Sequence, residues 1–158
     1  MEKKFYLTKN GFEKLKKEYQ QLRELRLAKI KGKEIPKILH SEEIDPEYLA
    51  FQEDLSFLEG RIVDLEYILK NTILIRTPPR DRRNVVNLGA TVTLEEKDGQ
   101  INEFTIVGTL EANPGEGKIS SESPVGKALL GKKIGDEILI TSPIRVGYKI
   151  KKIRYHLS

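Results

Sequence analysis

His40-Ser-Glu42-Glu43-Ile-Asp45-Pro46 places three carboxylates within four residues, with no Lys or Arg beside them in sequence. Glu42 and Asp45 are three positions apart, so one turn of helix-like backbone sets both on one side. Such a pair supplies one or two oxygen ligands to Mg2+, which takes its remaining ligands from water, substrate or other groups. Alone it holds the ion weakly. Presented to a site that already contains a metal, it anchors a second ion or positions a water for phosphodiester hydrolysis. The same residues also read as a solvated acidic turn leading into a helix cap, and spacing alone favours that plainer reading.

Other catalytic chemistry finds little support. His40 and His156 are far apart and fit no metal-binding spacing. There is no cysteine, hence no disulfide framework and no thiolate zinc site, which suits a reducing cytosol. No Gly-x-Ser-x-Gly turn occurs. Gly126-Lys-Ala-Leu-Leu-Gly131-Lys132-Lys133 approaches a phosphate-binding loop, but Lys133 stands where a Ser or Thr is required and the interior reads as helix. Nucleotide binding is therefore not expected.

Two helices must carry the acidic segment. Thr8 is a candidate N-cap, and Phe12, Leu15, Tyr19 and Leu22 follow as one apolar stripe. The pattern loosens beyond Leu27 and Ile30, and Gly32 and Pro36 should weaken or kink the helix. A second helix begins with Asp45 as cap, Pro46 at the first position and Glu47 at the positive end of the dipole. Tyr48, Phe51, Leu55, Leu58, Ile62, Leu65 and Leu69 give it a sustained stripe. A short connection forces the two antiparallel, and an arm of about 30 residues reaches roughly 45 Å, with residues 40 to 46 at its tip.

Composition divides the chain in two. Only Gly11, Gly32 and Gly60 lie in the first 75 residues, and nine glycines follow. The reading is a helical domain over 1–75, a linker over 76–84 and a β-rich domain over 85–158. Strands are expected at 90–94, 103–107, 137–140 and 148–153, forming an antiparallel sheet with one capped helix across 123–131. The linker's four arginines, within Arg76-Thr-Pro-Pro-Arg-Asp-Arg-Arg83, are either solvated or in contact with nucleic acid or an acidic surface.

The net charge of +4 names no partner, but its distribution is informative. Lys9 to Leu39 holds ten Lys or Arg against four Glu, and Glu42 to Glu66 holds nine acids against Arg61 alone. The two arms should attract each other. No apolar run approaches the roughly 20 residues needed to span a bilayer. A chain that is soluble, cytoplasmic and without a membrane partner is expected.

Several motifs in order resemble the bacterial transcription elongation factors of the GreA/GreB type. They are Leu7-Thr8-Lys-Asn-Gly11-Phe-Glu-Lys-Leu15, Glu47-Tyr48 with Phe57-Leu-Glu-Gly-Arg-Ile62, Leu88-Gly-Ala-Thr-Val-Thr93, Ile106-Val-Gly108 and Ile119 to Gly131. The resemblance covers nearly the whole chain. It implies a coiled-coil hairpin that enters the secondary channel of RNA polymerase and an FKBP-like domain that docks near the channel entrance. The fold class is then α+β. The implied role is to stimulate the polymerase's own endonuclease on backtracked RNA, so the factor is not itself an enzyme. The implied partners are RNA polymerase and the RNA 3′ end, the implied cofactor is the polymerase's Mg2+, and a monomer is expected.

The tip departs from the family pattern Gly-Asp-Leu-x-Glu-Asn-Ala-Glu-Tyr. Counting forward from Gly11 sets Glu42 and Asp45 on the two working carboxylates, with the acid types exchanged and one residue lost at Pro46. Counting back from Glu47-Tyr48 lands on Ser41 and Ile44, which are inert. The forward count is preferred because it retains two acids at the required spacing, with Glu43 as a substitute. Two further readings stay open. One is a channel-binding regulator that inhibits or competes without stimulating cleavage. The other is an FKBP-like prolyl isomerase, for which the region after Leu88 offers only Phe104, Tyr148 and Tyr155 as aromatics.

Overall fold

The computed structural model describes residues 3–32, 46–141 and 144–156. The chain divides into two compact units, one of residues 12–71 and one of residues 1–11 with 72–158.

The helical unit is built from two long helices. Helix α1 (Lys9–Gly32) begins in the other unit and continues into this one, and α2 (Pro46–Lys70) follows. At about 1.5 Å per residue each is roughly 36 Å long. Pro46 opens α2 and Glu47 lies in its first turn, as the sequence predicts. The partners Tyr19 with Glu66, Arg26 with Glu59 and Lys29 with Asp54 descend along α2 as they ascend α1, so the helices run antiparallel. Leu58, Ile62, Leu65 and Ile68 are buried, whereas Tyr48, Phe51 and Leu55 are half-buried and Leu25, Leu27 and Ile30 exposed. Apolar burial thus thins toward Gly32 and Pro46, which matches the loosening stripe. Pro36 lies outside the described residues.

The β unit centres on a five-stranded sheet in the order β5-β4-β3-β7-β6. Its strands are β3 (Ala90–Glu96), β4 (Ile101–Val107), β5 (Lys118–Ser120), β6 (Glu137–Ile140) and β7 (Val146–Tyr155). Alternation explains β3: Ala90, Val92 and Leu94 are fully buried. They join Ile106, Leu129, Ile138, Ile140 and Ile150 in one core. Between β3 and β4, Gly99 takes the positive φ of a tight turn. β3 and β7 shift register between Thr93 and Leu94, where Thr93 faces Lys152 and Leu94 faces Ile150. Lys151 is the extra residue of that bulge.

The fold class expected from sequence holds: a helical hairpin and a small β unit with one short helix, α3 (Pro124–Leu129). Ser123 caps α3 by accepting the Gly126 amide at 3.1 Å. The sheet is mixed and not wholly antiparallel, because β4 pairs with β5 in parallel. Two short strands were not expected. β1 (Phe5–Leu7) and β2 (Thr72–Leu74) pair in parallel, which brings the first residues of the chain into the β unit. The division by compactness therefore falls at 11/12 and 71/72, whereas composition placed it at 75/76.

Candidate functional site

Glu42, Glu43 and Asp45, together with Ser41, Ile44 and His40, lie outside the described residues. What the structure describes is the two helices that precede and follow them in sequence.

Ion pairs join the arms along their length. Arg61 Nε donates to Glu18 Oε1 at 2.9 Å, Arg26 Nε to Glu59 at 3.1 Å and Lys29 Nζ to Asp54 at 3.2 Å. Tyr19 donates its hydroxyl to Glu66 at 2.8 Å. That bond holds the Tyr19 hydroxyl above its ordinary range, and the Glu18 carboxylate does the same for the Arg61 guanidinium. The attraction between a basic and an acidic arm is realised in the Arg26–Glu59 and Lys29–Asp54 pairs, whereas Arg61–Glu18 joins the arms with the charges exchanged. Of the lysines near the far end of the first arm, Lys29 is committed to Asp54 and also lies 5.5 Å from the Phe51 ring centre. Lys31 is exposed, and Lys33 and Lys37 lie outside the described residues.

The base of α1 is fixed by a group that sequence reading missed. Thr8 caps the helix as predicted, its hydroxyl accepting the Gly11 amide at 3.0 Å. Glu111, 103 residues later, accepts both the Thr8 amide at 2.7 Å and the Thr8 hydroxyl at 2.6 Å. Nothing in the local pattern around Glu111 signals this.

The near-match to a phosphate loop has a different role. Residues 124–129 are helix, and a Cβ on Gly126 would overlap the backbone of Ser120. Gly126 serves close packing of α3 on β5.

Among the described residues no group of three or more His, Asp or Glu could hold a metal ion. A cavity of about 540 Å³ lies along β3, β7 and β6, lined by Glu95, Glu96, Glu137, Lys149 and Lys151, with Tyr148 as its one aromatic. Burial, and next the neighbouring Glu96, push the Tyr148 hydroxyl up. Phe104 and Tyr155 pack against the core, and Tyr155 also donates its hydroxyl to Val85 O. No helix among the described residues is long and apolar enough to cross a membrane.

Comparison with known proteins decides the family. Residues 5–73 match the family described as transcription elongation factor, N-terminal, and residues 81–155 match transcription elongation factor, GreA/GreB, C-term. The chain belongs to the GreA/GreB family. It is 39% identical over 144 residues to the transcription elongation factor GreA of Bacillus cytotoxicus, covering 90% of each chain. It is 42% identical over 143 residues to GreA of Thermomicrobium roseum, covering 87% of this chain and 88% of that one. Among solved structures, the GreA factor homolog 1 (Gfh1) protein of Thermus thermophilus aligns over 96% of this chain and 99% of its own, at 28% identity and a TM-score of 0.43. The first matched segment takes in β1, both long helices and the start of β2, and the second lies within the β unit.

Proposed function

We propose that this chain is a cytoplasmic transcription elongation factor that binds RNA polymerase and stimulates cleavage of backtracked RNA by the polymerase active site. The observation that carries the reading is that both halves match the GreA/GreB family in the family's order. The hairpin enters the secondary channel and presents Glu42 and Asp45, while the β unit docks near the channel entrance.

The chain's own residues bind and position; the bond-breaking chemistry belongs to the polymerase. Glu42 and Asp45 add carboxylate oxygens beside the polymerase's Mg2+ and hold the attacking water, with Glu43 as a substitute. The donor chemistry fits, since Mg2+ takes hard oxygen ligands and a carboxylate pair retains room for water and substrate. The assay is RNA shortening in stalled, backtracked complexes. Wild-type protein should shorten the transcript, and Glu42→Ala with Asp45→Ala should abolish that effect while polymerase binding persists. Stimulated cleavage unchanged in the double variant sinks the assignment.

The altered tip sequence, with Glu43 in place of Leu and a residue lost at Pro46, favours a second reading: a channel occupant that blocks nucleotide addition. The same assay separates the two, because that protein slows extension and leaves the RNA uncut.

A further inference from the structure

The helical unit presents an open apolar spot between two of its ion pairs. Glu18, Leu25 and Lys29 recur on α1 at spacings of seven and four, and Asp54, Phe57 and Arg61 on α2 at three and four, so each trio runs along one side of its helix. Arg61 meets Glu18 at 2.9 Å and Lys29 meets Asp54 at 3.2 Å, which sets both trios on the same face of the hairpin. Leu25 and Phe57 therefore sit between the two ion pairs. Among the described residues Phe57 is the most exposed large apolar side chain, at 81%, and Leu25 is 54% exposed. Apolar anchors framed by ionic groups are the layout of an interface, with a dry centre and a polar rim.

The charges around that spot run in a definite order. At the end near Lys70, α1 carries the anion Glu18 and α2 the cation Arg61; at the end near Pro46, α1 carries the cation Lys29 and α2 the anion Asp54. A two-fold axis running along the hairpin, in the plane of this face, lays α1 of one copy against α2 of another. Glu18 then faces Arg61 of the second copy, Lys29 faces its Asp54, and Leu25 faces its Phe57. Each of the six residues meets a complement, as an isologous interface requires. The rest of each arm agrees, since α1 holds eight Lys or Arg against three Glu, and α2 six acids against Arg61 and Lys70. A two-fold axis across the hairpin instead sets basic arm on basic arm, which like charge disfavours.

We infer that this face is a self-docking surface: two copies of the chain pair through Leu25 and Phe57, with α1 of each against α2 of the other. Two apolar side chains and two ion pairs from each copy make a small contact, of the class below about 1,200 Å², so the pairing is reversible and depends on concentration. The monomer implied by the family resemblance is one side of that equilibrium. A hairpin engaged in this way is unavailable for insertion into the polymerase, so pairing holds the factor in reserve. That consequence rests on the cleavage reading, whereas the pairing itself needs no polymerase.

The test is sedimentation velocity of the full chain from about 1 μM to about 1 mM, where monomer should give way to dimer. Phe57→Ala should weaken self-association at least about tenfold, as loss of an interface anchor does, and should leave thermal unfolding close to wild type because the ring is exposed. Val63→Ala trims a 62% exposed side chain in the groove shared with Tyr19 and Leu27, and should leave self-association within about twofold of wild type. Glu18→Arg and Arg61→Glu each place like charges against the second copy, so each should pair poorly with itself. Mixed together, the two variants restore opposite charges across the interface and should form a mixed dimer at near wild-type affinity. Neither regains its internal ion pair, so that rescue cannot come from folding. Any of three results overturns the inference: a chain that stays monomeric at every concentration, including one whose Phe57→Ala variant instead loses affinity for polymerase; a Val63→Ala variant as weak as Phe57→Ala; or a mixture that associates no better than its components. Transcript cleavage is read separately, so failure here leaves the cleavage role standing and the reverse.

Discussion

Glu111 holds both polar groups of Thr8, with one carboxylate oxygen on the amide at 2.7 Å and the other on the hydroxyl at 2.6 Å. Because the Thr8 hydroxyl spends its proton on Glu111, its lone pairs face the Gly11 amide, and the cap is set in the accepting direction. A Cβ on Gly11 would overlap the same carboxylate. Gly11→Ala should therefore cost about 2 kcal/mol by dislodging hydrogen bonds to a charged group. Glu111→Ala should cost a similar amount. In the Glu111→Ala background the obstruction is gone, so Gly11→Ala should become stabilising by up to about 1 kcal/mol through helix propensity. Urea unfolding of the four proteins in this cycle checks the reversal of sign; additive effects would disprove the shared carboxylate.

The arms of the hairpin are held by apolar contact more than by charge. Leu65 is fully buried, and Leu65→Ala should cost about 2–5 kcal/mol. The Arg61 and Glu18 side chains are 40% and 38% exposed, and pairs this wet are worth about 1 kcal/mol or less. Arg61→Ala should thus shift thermal unfolding, followed by far-UV circular dichroism, far less than Leu65→Ala. Adding salt should weaken the wild type no more than slightly.

How much of this was legible in the sequence follows from element length. The stripes of α1 and α2 repeat over many turns, and β3 alternates through Ala90, Val92 and Leu94, so their periods are readable. β1, β2 and β5 have three residues each, too few for a period to declare itself. Ile68 falls outside the 3-4 stripe yet is buried. The arginine-rich segment reads as linker because the partner of Thr77, the carbonyl of His156, is distant in sequence, as are Lys132 and Tyr155, the partners of the Val85 to Asn87 stretch that follows. The acidic types and spacing at Glu42 and Asp45 were legible, but their side-chain directions depend on backbone that spacing does not determine.

Tyr155 makes stability depend on alkaline pH. Burial pushes its hydroxyl above the ordinary tyrosine value of 10.0, partly offset by the Asn87 amide that donates to it. A folded-state pKa raised above the unfolded one gives stability that is complete below pH about 10 and is lost as pH rises through the folded value. The ionised oxygen also has no proton to give Val85 O. Tyr155→Phe should cost about 1 kcal/mol at neutral pH, and its deficit relative to wild type should shrink as pH climbs past about 10. Tyr19 and Tyr148 are raised as well, so the difference between the two proteins, and not the wild-type curve alone, carries the result. A constant difference across that window would show that Tyr155 does not titrate in this way.

The tip carboxylates should reveal their role through Mg2+ dependence. If Glu42 and Asp45 each donate an oxygen beside the polymerase's ion, removing one weakens the added coordination without abolishing it, and mass action then compensates for lost affinity. Glu42→Ala and Asp45→Ala, each alone, should move the Mg2+ concentration for half-maximal stimulated cleavage upward by about tenfold, equivalent to about 1.4 kcal/mol of lost binding. High Mg2+ should restore most of the rate to either single variant and little to the double variant, in which no oxygen of the pair remains. Glu43→Ala tests the substitute: it should be silent in the wild-type background and remove the residual rate of Glu42→Ala. A single variant whose rate stays low at every Mg2+ concentration would mean that its carboxylate positions the water or the RNA and not the ion.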